Sequence, residues 1–200
     1  MNIFIIILIV FALIATILVL AVIGIYNNLV RGKNIFENAY SQIDVQLKRR
    51  YDLIPNLLES VKGYMKHEKE TLDAVIKARN QASQINIDLG KDPTDPALME
   101  KLNKAEGALS QNLGKMFALS ESYPDLKADS NITALMEELT STENKIGFAR
   151  QAYNDAVTSY NISCEEFPSG IIAGMFQFKK GTLFEVENAV EKQAVKISFD

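Results

Sequence analysis

The sequence predicts an all-α protein, an N-terminal transmembrane helix continuing into an antiparallel four-helix up-and-down bundle. Three observations carry that expectation. Residues 3–25 hold no charged side chain, and only Thr16 and Gly24 interrupt the apolar run. Between Ile132 and Tyr160 the apolar positions recur at alternating intervals of three and four, the seam of a packed helix. Turn chemistry at Gly90-Lys-Asp-Pro-Thr-Asp-Pro96, at Tyr123-Pro124 and at Phe167-Pro168 divides the remainder into helix-sized lengths.

The apolar run comes first. A bilayer core about 30 Å thick needs roughly 20 apolar residues of helix, and residues 3–25 meet that length. Tyr26, Asn27 and Asn28 form an interfacial collar before the first charges, Arg31 and Lys33. A cleaved signal peptide fits poorly: no Lys or Arg precedes the run, the run is too long, and no small-x-small site follows it. The single cysteine, Cys164, lies too far downstream for a lipoprotein. Residues 1–30 are therefore read as span and collar, and 31–200 as the helical domain. Basic residues cluster after the span (Arg31, Lys33, then Lys48, Arg49 and Arg50), which leans the topology towards N-out and C-in.

A long helix is expected over 31–89, carried by Phe36, Tyr40, Ile43, Leu47, Ile54, Leu57, Val61 and Tyr64 and resumed by Leu72, Val75 and Ile76. It extends the membrane helix directly, with Gly32 its weak point. Pro55 lies inside the pattern, where it removes a backbone hydrogen bond. Because the phase resumes after it, the reading favours a kink or bulge there over two separate helices. Asp95-Pro96 suits the start of a second helix, over 96–122, with Leu98, Leu102, Ala105, Leu109, Met116 and Leu119 inward. A third, over 130–166, starts from Ser130 or Asn131 as cap. The final stretch, 168–200, holds an apolar turn at 171–176, a short helix through Phe184, Val186 and Val190, and an alternating segment at 195–199 too short to assign.

Chemistry-bearing residues are sparse. Twenty-one Lys and Arg against 25 Asp and Glu leave a net charge of −4, with no basic stripe for nucleic acid. A di-iron bundle site needs two Glu-x-x-His pairs, whereas the one histidine, His67, is preceded three residues earlier by Tyr64 and flanked by Glu68 and Glu70. The counts exclude a Cys/His zinc site. A Cys–His nucleophile pair would require Cys164 to meet His67, and Cys164 reads more simply as a small core residue. No catalytic, cofactor-binding or metal-ligating residue is assigned, and a metal-binding bundle built on His67 is the alternative. One cluster is unusual: Lys48-Arg49-Arg50-Tyr51-Asp52 puts Arg50 at a seam position, where its guanidinium must find a partner or water. Glu137, Glu138, Glu143 and Asn144 on the third helix are the candidates. Residues 48–50 lie roughly 35 Å beyond the span at 1.5 Å per residue, too far for lipid contact along a straight helix.

Several blocks together resemble the LemA family. They are Tyr26-Asn27-Asn28-Leu29-Val30-Arg31, the run from Gln42 through Lys48-Arg49-Arg50-Tyr51-Asp52-Leu53-Ile54-Pro55-Asn56-Leu57, and Val61-Lys62-Gly63-Tyr64 with His67-Glu68. Glu143-Asn144-Lys145-Ile146, Ala149-Arg150-Gln151 and Tyr153-Asn154-Asp155-Ala156-Val157 fit a second block. Phe167-Pro168, Ile172-Ala173, Phe176 and Phe178 fit a C-terminal one. The resemblance covers nearly the whole chain and departs mainly in a less acidic tail. It implies a bacterial single-pass protein of the cytoplasmic membrane, with a helical bundle and no established enzymatic activity or catalytic residues to carry over. It also implies a role in envelope or membrane organisation, with a membrane metalloprotease or a TPM-domain protein as candidate partners beside the bilayer itself. The oligomeric state stays open.

Overall fold

The computed structural model describes residues 3–185, and the described chain is helical with no strand. Helix α1 runs from Ile3 to Val61, 59 residues and so about 88 Å long. Its apolar N-terminal part leaves large side chains such as Ile3, Phe11 and Leu18 exposed along its length. A helix apolar on every face and uncovered by the rest of the chain fits a transmembrane segment rather than a soluble core. Burial begins at Leu29 and then follows the seam Phe36, Tyr40, Ile43, Leu47, Arg50, Ile54, Leu57 and Val61.

The single helix expected over 31–89 is instead the end of α1 and a separate second helix. The chain stays helical through Pro55 and turns instead at residues 62–68, after which α2 occupies Lys69–Leu89. Lys62-Gly63-Tyr64 stops the helix, and Met65, fully buried, anchors the turn. The apolar phase continues across this turn only because α2 folds back and buries Leu72 and Val75 in the same core. Periodicity cannot separate one long helix from two that share a core.

Pro55 is accommodated by a side chain. Having no N–H, it leaves the carbonyl of Tyr51, four residues earlier, without its helical donor. The Nε of Arg79 in α2 donates to that oxygen at 2.9 Å. The guanidinium stands in for the missing amide, so the helix need not break.

Helix α3 spans Pro96–Ser120, and the Asp95 carboxylate caps it by accepting from the N–H groups of Ala97 and Leu98. A single turn, α4 (Pro124–Ala128), leads into α5 (Ser130–Glu165). Asp129, rather than Ser130 or Asn131, caps α5, accepting from Asn131 N–H at 2.9 Å and from Ile132 N–H at 3.3 Å. Helix α6 is Ser169–Met175. It closes with Phe178 N–H donating to Ala173 and Gln177 N–H to Gly174, around Gln177 at φ 56°, a Schellman end with a residue other than glycine at the left-handed position.

Helix α1 packs most extensively on α5, and α2 on α3. Phe36 meets Tyr160 and Tyr40 meets Tyr153, while Arg50 reaches Glu143, so α1 and α5 run antiparallel. Asn86 faces Tyr40 and Arg79 faces Tyr51, so α1 and α2 do too. Gly32 belongs to this fit, because a Cβ there would stand 3.2 Å from the Tyr160 ring.

After α6 the described chain has no regular structure and runs back along α5 as a strap to residue 185. Phe184, expected in a short helix, instead lies in this strap and is fully buried. Val186, Val190 and the segment 195–199 lie outside the described residues.

Candidate functional site: a charged seam, a backbone clamp and a distal groove

Arg50 is 1% exposed, the largest fully buried side chain among the described residues. Its guanidinium is ion-paired to Glu106 of α3, equally buried, and to Glu143 of α5, whose side chain is half exposed. Tyr51 Oη donates to the same Glu106 carboxylate. Of the expected partners, Glu143 is the one engaged by Arg50, and Glu138 instead pairs with Arg49. Lys48 pairs with Asp44 at 2.6 Å along its own helix. The basic cluster is thus spent on internal partners.

Glu106 escaped the sequence reading, although a signal for it existed. The α3 residues Met99, Leu102, Glu106, Leu109, Leu113, Met116 and Ser120 are all buried and alternate three and four apart. An acid in one seam and a base in another are complementary outliers. A pair of this kind fixes helix register, because a slip would strand a buried charge. Burial lifts the Tyr51 hydroxyl well above the usual tyrosine range, against the opposing pull of Arg50. Tyr40 is lifted likewise, by burial and then by Asp44. Its hydroxyl donates to Asn86 Oδ1 at 2.9 Å, and Asn86 Nδ2 donates to Asp44 at 2.7 Å.

The second arrangement is built from a Tyr-Asn pair repeated at a seven-residue interval in α5. Asn161 Nδ2 donates to the Gly181 carbonyl at 3.0 Å, and Gly181 N–H donates to Asn161 Oδ1 at 2.8 Å. Asn154 does the same to Phe184, at 3.1 and 2.8 Å. Tyr160 and Tyr153 donate to the carbonyls of Lys179 and Thr182. Seven residues of helix rise about 10.5 Å and three of extended chain about 10 Å, so the two repeats stay in step. Each asparagine amide treats the strap as a neighbouring strand would. Asn103 adds a bond from α3 to the Leu183 carbonyl at 3.2 Å. Gly181 permits the close approach, since a Cβ there would lie 3.1 Å from Val157.

The third feature is an open apolar groove of about 640 Å³ where the end of α1 and the start of α2 meet, at the end of the domain far from the apolar span. Ile54, Leu58, Met65, Leu72 and Ile76 line it. Lys62, Lys66, Lys69 and Arg79 stand around it against Glu59 and Asp73. Among the described residues Lys66 and Lys69 have no ion pair.

His67 is exposed in the turn beside this groove, and no group of three or more metal-ligating side chains occurs among the described residues. Cys164 is half-buried and packs on the cluster around Leu29, at the membrane end of α1. Leu29 and Val61 bracket about 48 Å of α1 at 1.5 Å per residue. The fold therefore holds Cys164 and His67 at opposite ends.

The family model for LemA matches residues 39–199. This chain belongs to the LemA family. Protein LemA of Metamycoplasma hominis is 29% identical over 164 residues, covering 82% of this chain and 70% of the relative. Magnetosome protein MamQ 2 of Paramagnetospirillum magneticum is 24% identical, over 82% of this chain and 66% of its own length. Magnetosome protein MamQ of Magnetospirillum gryphiswaldense is 22% identical, over 86% and 71%. For this LemA-family chain, the matched region contains all three arrangements described above.

Proposed function

We propose that the protein is a non-enzymatic, membrane-anchored interaction protein, single-pass in the bacterial cytoplasmic membrane, whose four long helical segments form an up-and-down bundle. The observation that carries the reading is the continuity of α1. One helix runs from the apolar span to the wall of the distal groove, so the anchor and the docking surface are parts of one rod. From Ile25 to Val61 that rod is about 54 Å long, which holds the groove well clear of lipid headgroups. The Arg31 and Lys33 charges favour a cytoplasmic domain.

The occupant of the groove is an amphipathic helix of a membrane-protein partner with acidic residues beside its apolar face. Apolar walls suit such a helix, and Lys66 and Lys69, without an ion pair among the described residues, suit its carboxylates. A membrane metalloprotease or a TPM-domain protein is the kind of partner the family resemblance suggests, and the magnetosome names of two relatives fit a role in membrane organisation.

A photo-crosslinking residue at Ile76, in native membranes, tests this. Ile76 is 44% exposed at the groove. The expected product is a crosslink to an acidic amphipathic segment of a membrane protein, lost in a Lys66→Glu/Lys69→Glu variant and absent from the same probe at Phe148. Crosslinks that survive the charge reversal, or that appear equally at Phe148, would overturn the groove as the docking site.

A further inference from the structure

Helix α6 lies against the end of the membrane span. Ile172 and Ala173 are buried on Leu29, with Val22 and Ile25 packed on the same cluster. The Tyr26 ring meets Phe176 edge-on at 4.9 Å and Phe178 at 5.5 Å. These contacts set α6 level with residues 22–29, where the apolar run gives way to the collar.

The rest of this segment is apolar and uncovered. Phe167 is 85% exposed, Met175 70%, Ile171 57% and Phe176 52%. Grouped large apolar side chains of this kind mark an interaction site, and here the neighbouring surface is the exposed apolar flank of α1, whose solvent is lipid. The backbone is prepared for such a setting. Gly170 N–H donates to Glu166, and the Schellman end occupies the N–H groups of Gln177 and Phe178, leaving few polar backbone groups to strand in an apolar medium. Charged residues stand on both sides of the segment in the chain, Glu165 and Glu166 before it and Lys179 and Lys180 after it, with Lys180 paired to Glu165. Behind it, the Tyr-Asn clamp fixes the strap to α5.

We propose that Phe167 and α6 form an interfacial foot that enters the boundary between headgroups and acyl chains beside α1. This rests on reading α1 as membrane-spanning. A span alone leaves a domain free to rotate about its axis, and a second contact sets which side of the domain faces the membrane. Tyr26, Phe176 and Phe178 join the two contacts, so span and foot move as one.

The chain contains no tryptophan, so single-Trp variants of the full chain report position directly. Phe167→Trp and Met175→Trp are placed where the native side chain is exposed, with Leu13→Trp in the span and Phe148→Trp on the outer face of α5 as references. Each is reconstituted in phosphatidylcholine–phosphatidylglycerol vesicles in two series, the phosphatidylcholine carrying bromines near the headgroup end of one chain to report on Phe167 and Met175, or near the methyl end to report on Leu13. The indoles introduced at Phe167 and Met175 should be quenched by brominated lipid and shielded several-fold from acrylamide relative to the one introduced at Phe148. Quenching at Leu13 without quenching at Phe167 and Met175 would overturn the foot and leave the anchor standing. Absence of quenching at Leu13 would overturn both. Shielding of the Phe167 and Met175 variants from acrylamide and lipid alike would overturn the foot in favour of a second copy or another protein covering α6.

Discussion

Replacing Arg79 by methionine keeps most of the apolar stem and removes the donor to the Tyr51 carbonyl. Tyr51 is 2% exposed, so little water can reach the oxygen, and Pro55 has removed the native amide donor. A charged hydrogen bond to a buried acceptor contributes about 1.5–3 kcal/mol, and a stranded acceptor costs a similar amount. Local relaxation around the carbonyl reduces this, and Arg79→Met is expected to cost about 1–2 kcal/mol. For a chain of this size that lowers the melting temperature by about 2–8 °C. The decisive comparison uses Pro55→Ala, which supplies an N–H to the same carbonyl and makes the guanidinium redundant. In that background Arg79→Met should cost less than half as much, because its contacts with Asp52 and Asn80 are the same in both. Thermal unfolding of the full chain in mild detergent, followed by circular dichroism, gives the four values of the cycle. Equal costs of Arg79→Met with and without Pro55 would refute the substitution of guanidinium for amide.

Glu106→Leu alone leaves Arg50 short of a buried partner and should destabilise by about 3–5 kcal/mol, whereas adding Arg50→Met and Tyr51→Phe should recover most of that loss; unfolding midpoints of the single and triple variants check it. Asn154→Leu or Asn161→Leu removes two hydrogen bonds to the strap, about 1–3 kcal/mol for each variant, and hydrogen exchange at Gly181 and Phe184 should accelerate with α1 and α2 unaffected. Burial raises the hydroxyls of Tyr40, Tyr51 and Tyr153 above the ordinary value. The unfolded chain loses these protons near pH 10 while the folded chain keeps them, so stability falls as pH rises beyond about 10, by about 1.4 kcal/mol per pH unit for each group. Tyrosinate absorbance should accordingly show these three ionising only together with loss of helicity, and their reversible ionisation in the folded chain would count against the burial argument.

The helices were legible because their signals are local. A charge-free run of membrane length, Asp95-Pro96 at a helix start and a three–four seam in α5 each act within a few turns. What stayed hidden depends on contacts distant in sequence. The turn at 62–68 carries no proline, while Pro55, the stronger sequence signal, is neutralised by Arg79 from another helix. Arg50 announces its need for a partner, but the choice of Glu106 requires knowing that α3 faces α1 across the core. Asn154 and Asn161 read as ordinary polar positions beside a seam, because their partners are backbone atoms, which leave no trace in residue type. Phe184 reads as part of a short helix because a buried aromatic in an irregular strap has no period of its own. The exposed α6 face is equally silent in sequence, where an apolar turn does not tell a covered face from an open one.

The central claim is that the membrane anchor and the distal groove belong to one continuous helix. Its most direct test is the distance between spin labels at Asn28 and Glu59, both exposed on α1, measured by double electron–electron resonance in lipid nanodiscs with Cys164→Ser. The roughly 31 intervening steps predict about 46 Å between the backbone sites, in a single narrow distribution. A broad distribution, or a main peak far shorter than that, would show that α1 breaks or hinges between the membrane and the groove, and would contradict the account.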